Sequence, residues 1–134
     1  MIERQVDQLT FTEVHPENEV FMSVSVVDVF IGILLTTSHH GDIDVYLYEN
    51  ECKQVVHALE EAARAIHTSI ERGIVSMRAV RTTMEFVVKV RVKRGLVVFD
   101  LAIEGNENEE DRVWVYLTPD QNNWLIEALR KALE

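Results

Sequence analysis

The sequence predicts an α+β chain made of two tandem β-β-β-β-α repeats, each an antiparallel sheet with a helix to close it. Three observations carry that prediction. First, Asp44–Ala62 recurs at a constant shift of 70 as Trp114–Ala132, with 6 identities in 19 positions. Val45, Tyr46, Leu47, Ala58, Leu59 and Ala62 meet Val115, Tyr116, Leu117, Ala128, Leu129 and Ala132, so the identities fall at a strand end and on one helix face. Second, each copy is preceded by segments whose apolar residues alternate with period two. Third, each copy switches from period two to the three-and-four spacing of a helix. A repeated unit of this kind is one supersecondary element copied, and it divides the single domain 1–134 into repeat one, 1–73, and repeat two, 74–134. Each half is then expected to be shielded from water by its own terminal helix.

In chain order, Val6, Leu9 and Phe11 suggest a ragged first strand over 4–14, and the turn cluster His15-Pro16-Glu17-Asn18 ends it. Val20, Met22, Val24 and Val26 alternate with Phe21, Ser23, Ser25 and Val27 in a second strand. The stretch Val29–Thr37 is nearly continuous in apolar residues, as in a central strand covered on both faces. After Ser38-His39-His40-Gly41, Ile43, Val45 and Leu47 alternate with Asp44, Tyr46 and Tyr48 in a fourth strand. Asn50 is a candidate N-cap, and the helix after it runs to about Arg72, where Gly73 stops it. Cys52, Val55, Val56, Leu59, Ala62, Ala63, Ile66 and Ile70 mark its apolar stripe.

The second half repeats the order. Ile74–Thr83 is a weak strand, and Phe86, Val88, Val90 and Val92 alternate with Val87, Lys89, Arg91 and Lys93. Lys93-Arg94-Gly95 is a hairpin turn with Gly95 free to take positive φ. Leu96–Glu104 is the third strand, 105–110 an acidic loop, and Arg112–Thr118 the fourth strand, with Trp114 and Tyr116 on one face. Thr118-Pro119-Asp120-Gln121 opens the last helix with a threonine cap, proline at the first position and glutamine three residues past the cap.

Composition narrows the function classes. With 47% hydrophobic and 27% charged residues the chain is an ordinary globular one. The net charge of -10 disfavours binding of polyanions by the molecule as a whole. The charge is uneven, however: residues 1–72 carry 13 acids and 4 bases, residues 73–134 carry 10 acids and 9 bases. Between Gly73 and Arg94 six bases stand against Glu85 alone. The single Cys52 can form no intramolecular disulfide and falls on a buried helix face, which points to a reducing compartment and a cytoplasmic location. The N-terminal MIERQVDQL has no basic and apolar leader pattern, and the longest apolar run, Val29–Leu35, is far short of the roughly 20 residues that span a bilayer. No membrane role is expected.

Two tandem β-β-β-β-α units of this size resemble the whirly-like single-stranded nucleic-acid-binding fold, and the second half is most similar to a repeat of the Pur-alpha family. The likeness rests on a basic strand entering Lys93-Arg94-Gly95, a following strand, a polar loop, and a strand ending at Leu117 that leads into the helix 121–133. The resemblance implies two crossing sheets, each helix closing the core, with sheet surfaces left for single strands. In the first half the counterpart of the basic turn is Val27-Asp28-Val29, which has no base, and Ser23 and Ser25 stand where the second half has Lys89 and Arg91.

The best constellation for function is a sheet face that combines Lys89, Arg91, Lys93 and Arg94 with Trp114 and Tyr116, and by the symmetry of the repeats Tyr46 and Tyr48. Aromatic rings stack on bases of any identity at about 1–3 kcal/mol each, while alternating cations neutralise phosphates. The same aromatics can instead be buried under the long helix of residues 50–72 or in a homodimer interface, and alternating Lys and Arg is also how a half-exposed strand resists edge pairing. His57/Glu61 and His67/Glu71 have helical i,i+4 spacing, but a metal site needs three or four ligands, so no metal or cofactor is expected. Cys52 is buried and no Gly-x-Ser-x-Gly elbow or phosphate-binding glycine loop is present, so no catalytic residue is expected. The reading is a non-enzymatic binding protein with single-stranded DNA or RNA as the most concrete ligand. The alternative is an acidic protein-interaction or oligomerisation module, homo-oligomeric, that binds a protein partner and no nucleic acid.

Overall fold

The computed structural model describes residues 3–14, 17–72, 74–108 and 111–134; His15 and Pro16 of the first turn, Gly73 at the end of the first helix, and Glu109 and Glu110 of the acidic loop lie outside them. The fold is α+β. Strands β1 (Glu3–Val14), β2 (Glu17–Val27), β3 (Phe30–Thr37) and β4 (Gly41–Leu47) form an antiparallel meander that leads into α1 (Glu49–Arg72). A second meander of β5 (Ile74–Arg81), β6 (Phe86–Lys93), β7 (Leu96–Ile103) and β8 (Val113–Leu117) leads into α2 (Pro119–Ala132). The duplication legible between 44–62 and 114–132 is thus present as two equivalent sheet-helix units.

Alternation decides which side of each strand is buried. Val20, Met22 and Val24 of β2, Ile31, Ile33 and Leu35 of β3, and Val45 and Leu47 of β4 face inward. In the second sheet Val88, Val90 and Val92 of β6, Phe99 and Leu101 of β7, and Val115 and Leu117 of β8 do the same. With the apolar stripes of both helices these residues make one continuous hydrophobic cluster. At about 25 cal/mol per Å² of apolar surface, this burial is the main stabilising term. Neither half has a core of its own.

The helices are exchanged between the halves, which corrects the expectation that each shields its own strands. α1 lies chiefly against β5, β6 and β7, and α2 reaches β1 and β2 as well as β7 and β8. Polar contacts trace the exchange. Glu61 of α1 binds Arg78 of β5 through Nε at 2.9 Å, and Gly95 N–H of the β6–β7 turn donates to Ser69 Oγ of α1 at 2.7 Å. Trp124 Nε1 of α2 donates to Asp7 Oδ2 of β1 at 3.1 Å. The helices meet where Asn122 Nδ2 donates to the Leu59 carbonyl and Arg130 pairs with Glu60.

Two local expectations also change. The N-cap of α1 is Tyr48, not Asn50: its carbonyl accepts from Cys52 N–H at 2.9 Å, and its own N–H donates to Glu51 Oε1 at 2.8 Å. A side chain three residues into the helix thus returns to the cap backbone, which is half of a capping box. At the equivalent start of α2 the box is complete, Gln121 Oε1 accepting from Thr118 N–H and Thr118 Oγ1 from Gln121 N–H. The strand covered on both faces is β7, buried from Val97 through Ala102, rather than β3, whose Phe30, Leu34 and Thr36 remain half-exposed on the outer side. The hairpin turns follow expectation at Arg94-Gly95, where both residues take positive φ (49° and 83°).

Candidate functional site

Cross-strand register places Lys89 opposite Asp100 and Asp100 opposite Trp114, and in the next row Arg91 opposite Val98 and Val98 opposite Tyr116. Lys89, Arg91, Trp114 and Tyr116 therefore share the outer face of the second sheet. Lys93 continues that face to the hairpin and Arg94 sits in the turn. Tyr46 and Tyr48 hold the symmetric place on the first sheet, packed with Phe30 at ring-centroid distances of 6.4 and 4.9 Å. The structure does not bring them onto the basic face.

The charge on that face is met from within the chain. Glu107, in the loop after β7, pairs with Lys89 Nζ at 3.1 Å and with Arg81 at 3.2 Å, and Glu104 adds a second acid to Arg81 at 3.5 Å. Hydrogen bonds from Lys89 and then Arg81 hold the Glu107 carboxyl below its usual range. Asp100, 1% exposed, lies 3.6 Å from both Arg91 and Arg112. Burial pushes its pKa up, against the pull of Arg112, Arg91 and Lys89. At those separations Asp100 Oδ2, Arg91 Nε and Arg112 Nε complete no hydrogen bond. Of the four expected cations on this side, Lys93 and Arg94 have no ion-pair partner among the described residues.

Trp114 is also engaged. The His40 ring stacks on its indole with centroids 3.5 Å apart and planes 26° apart, and the Arg112 guanidinium lies 5.6 Å from the ring centre. His40 is placed by a polar relay at the end of the first sheet. Asn18 Oδ1 accepts from Ser38 Oγ and His39 N–H, while Asn18 Nδ2 donates to Glu13, whose other oxygen accepts from Tyr116 N–H. Burial and the neighbouring His39 lower the His40 pKa, with Glu13 and Asp100 opposing. Sequence reasoning missed His40, Asp100 and Glu107. Asp100 left a signal as the one charge within the apolar run Leu96–Ile103, and Glu107 only as part of the acidic loop, with nothing to show which cations it meets.

The histidine pairs make no metal centre among the described residues, where no three His, Cys, Asp or Glu side chains converge. His57 does meet Glu61, at 3.0 Å, but Glu61 is also held by Arg78. Cys52 is fully buried, and burial, with a smaller push from Glu49, raises its thiol to about 12, so it holds its proton at neutral pH. Among the described residues no helix is long and apolar enough to cross a membrane.

The outer face of the first sheet has the opposite character. Register puts Glu3, Glu17, Glu19, Asp42 and Asp44 on it, all exposed, and no lysine or arginine. None of the five carboxylates has an ion-pair partner among the described residues. Phe21, Phe30, Leu34 and Tyr46 lie half-exposed between them. Comparison of the chain with protein-family models and with curated proteins gives no match in either case.

Proposed function

We propose that the chain is a non-enzymatic protein-interaction module whose working surface is the acidic, aromatic outer face of the first sheet, not the basic face of the second. One observation carries this reading: Lys89, Arg91, Arg81 and Arg112 each stand against Asp100, Glu104 or Glu107, whereas the five carboxylates of the first sheet have no ion-pair partner among the described residues. A cation already paired releases no counterion on meeting a phosphate, so it adds little to polyanion affinity. An uncompensated acidic sheet face steers and holds a cationic protein surface. Self-association and a reducing, cytoplasmic setting belong to the same proposal, the latter supported by the buried thiol of Cys52.

The test is fluorescence anisotropy of a labelled single-stranded oligonucleotide at rising salt, paired with light scattering over a concentration series. No binding at low salt and a dimer or larger species are expected. Binding whose log affinity falls linearly with log salt would replace this reading with the second one, single-stranded nucleic acid on a whirly-like sheet. That second reading is favoured by Lys93 and Arg94, which keep free charge beside the row of Arg91 and Tyr116.

A further inference from the structure

The acidic face is hollow. Register aligns Gln5, Ser25, Gly32 and Tyr46 across the four strands, and Gln8, Ser23, Leu34 and Asp44 in the adjacent row. Ser23, Ser25 and Gly32 are small and occupy the two central strands, while longer side chains stand on β1 and β4. The result is a trough of about 280 Å³ with Glu3 on one wall, Asp44 and Tyr46 on the other, Phe21 at one end and Ser23 on the floor. The Tyr46 ring lies over Gly32, its Cε1 only 3.6 Å from where a β-carbon would sit, so the ring forms a flat surface against the sheet.

Two further features point to what the trough holds. Ser23 is 8% exposed, and its hydroxyl has no hydrogen-bond partner among the described residues although it lines the cavity. The hydroxyl opens into the trough, where it can accept from water or from a donor on an incoming ligand. The Tyr46 phenol is held above its usual range by burial first, then by the negative charges of Asp44 and Glu3. Burial itself selects no cation, but the negative charge of Asp44 and Glu3 beside the ring favours one that reaches it.

We propose that the trough binds an arginine side chain from a basic segment of a partner protein, the guanidinium lying against Tyr46 and donating to Asp44, Glu3 and Ser23. The inference rests on the interaction-module reading and names its ligand. Arginine is preferred to lysine because a planar guanidinium stacks on an aromatic face and is more weakly hydrated, so it loses less on entering a half-buried trough. The donor set on the walls is all acceptor or amphoteric, as five N–H donors require.

The test uses the full chain and two unstructured probe peptides of equal charge, one of alternating arginine and glycine and one of alternating lysine and glycine, with spermine as a third probe. Calorimetry should give tighter binding for the arginine peptide. Asp44→Asn should weaken it about tenfold, as for a lost hydrogen bond to a charged group. Tyr46→Leu should weaken it roughly 2- to 5-fold, the range of an exposed cation–π contact. Glu71→Gln makes the same charge change on an exposed part of α1 and should have no effect. Equal losses from Asp44→Asn and Glu71→Gln would overturn the site while leaving the module reading in place. Equal affinity for both peptides would overturn the guanidinium assignment, and spermine binding as tightly as the arginine peptide would overturn a protein source. No binding of any cationic probe at low salt would sink both the inference and the reading beneath it. Because Asp44 is exposed, its variant keeps the test decisive even if Tyr46→Leu fails to fold.

Discussion

Glu51 near the start of α1 holds Thr83 of the other repeat: its Oε2 accepts from the Thr83 N–H at 2.6 Å and from the Thr83 hydroxyl at 3.0 Å. Its other oxygen caps the helix through Tyr48 N–H, so one buried carboxylate fastens the β4–α1 junction to the β5–β6 turn. Glu13 does the reciprocal task, tying the end of β1 to Tyr116 next to the β8–α2 junction. Glu51→Ala removes three hydrogen bonds to a charged acceptor. Because the freed Thr83 and Tyr48 donors are exposed and can turn to water, the expected cost is about 2 kcal/mol. In urea the midpoint should fall with an unchanged slope. A midpoint within error of the parent would show that the clasp carries no stability.

The exchange of helices makes a stronger prediction about the halves. Residues 1–73 contain the first sheet and α1, yet α1 lies mainly against the second sheet, and its buried Leu59, Ala62 and Ile66 belong to the shared core. Each half alone should be unfolded or aggregated, and mixing the two should restore native circular dichroism in a 1:1 complex by gel filtration. A monomeric half with native-like circular dichroism would contradict the shared core.

Which parts of this could be read from the chain follows from the range of each signal. The alternation of β6 and the Thr118–Gln121 box are local, and both elements form as read. An apolar stripe says that a helix face is buried but not against which sheet, so the exchange was invisible. The cap of α1 was misread because Asn50 offers the right oxygen, whereas the working contact comes from Glu51 reaching back. The basic face was legible by alternation, but its neutralisation was not, because Glu107 lies 18 residues beyond Lys89 and meets it only through the β7 pairing and the loop that follows.

Two glycines with nearly the same backbone separate conformational cost from packing. Gly41 and Gly95 have φ of 82° and 83°; a β-carbon at Gly41 would meet nothing within 4 Å, while one at Gly95 would sit 3.2 Å from Ile70 Cγ1. Gly41→Ala should cost about 1–2 kcal/mol, the penalty of a left-handed L-residue. Gly95→Ala should cost more, by less than about 1 kcal/mol because Ile70 is exposed and can shift. Thermal denaturation of the pair checks the order, and equal losses would remove the Ile70 contact from the account.

Asp100 weighs burial against ion pairing. Breaking a well-formed buried ion pair costs about 3–5 kcal/mol. Here the partners stand at 3.6 Å, Arg91 and Arg112 remain partly hydrated, and burial of the carboxylate outweighs the cations, so the folded-state pKa is raised. The stability this group contributes is full below its unfolded pKa of 3.8 and is lost as pH rises through the folded value. Asp100→Asn should therefore leave the urea midpoint at pH 7 unchanged or higher. A loss on the scale of a broken buried pair would reverse the ranking of the two effects.

His40 gives the opposite dependence on pH. Its folded-state pKa lies below the ordinary 6.5, chiefly because the ring is desolvated against Trp114 and secondly because His39 adds like charge, with Glu13 and Asp100 acting the other way. Between the folded and unfolded pKa values the unfolded chain binds a proton that the native ring refuses, so stability increases with pH in that window. The contribution is complete above about 6.5 and is lost as pH falls through the folded-state value. Urea unfolding at pH 7.5 and 5.5 should show a drop at the lower pH, and His40→Gln should reduce that drop while leaving the part due to other groups. An unchanged drop in the variant would mean that the stacked imidazole takes up its proton as readily in the fold as in the unfolded chain, and that the contact with Trp114 does not depend on its neutral form.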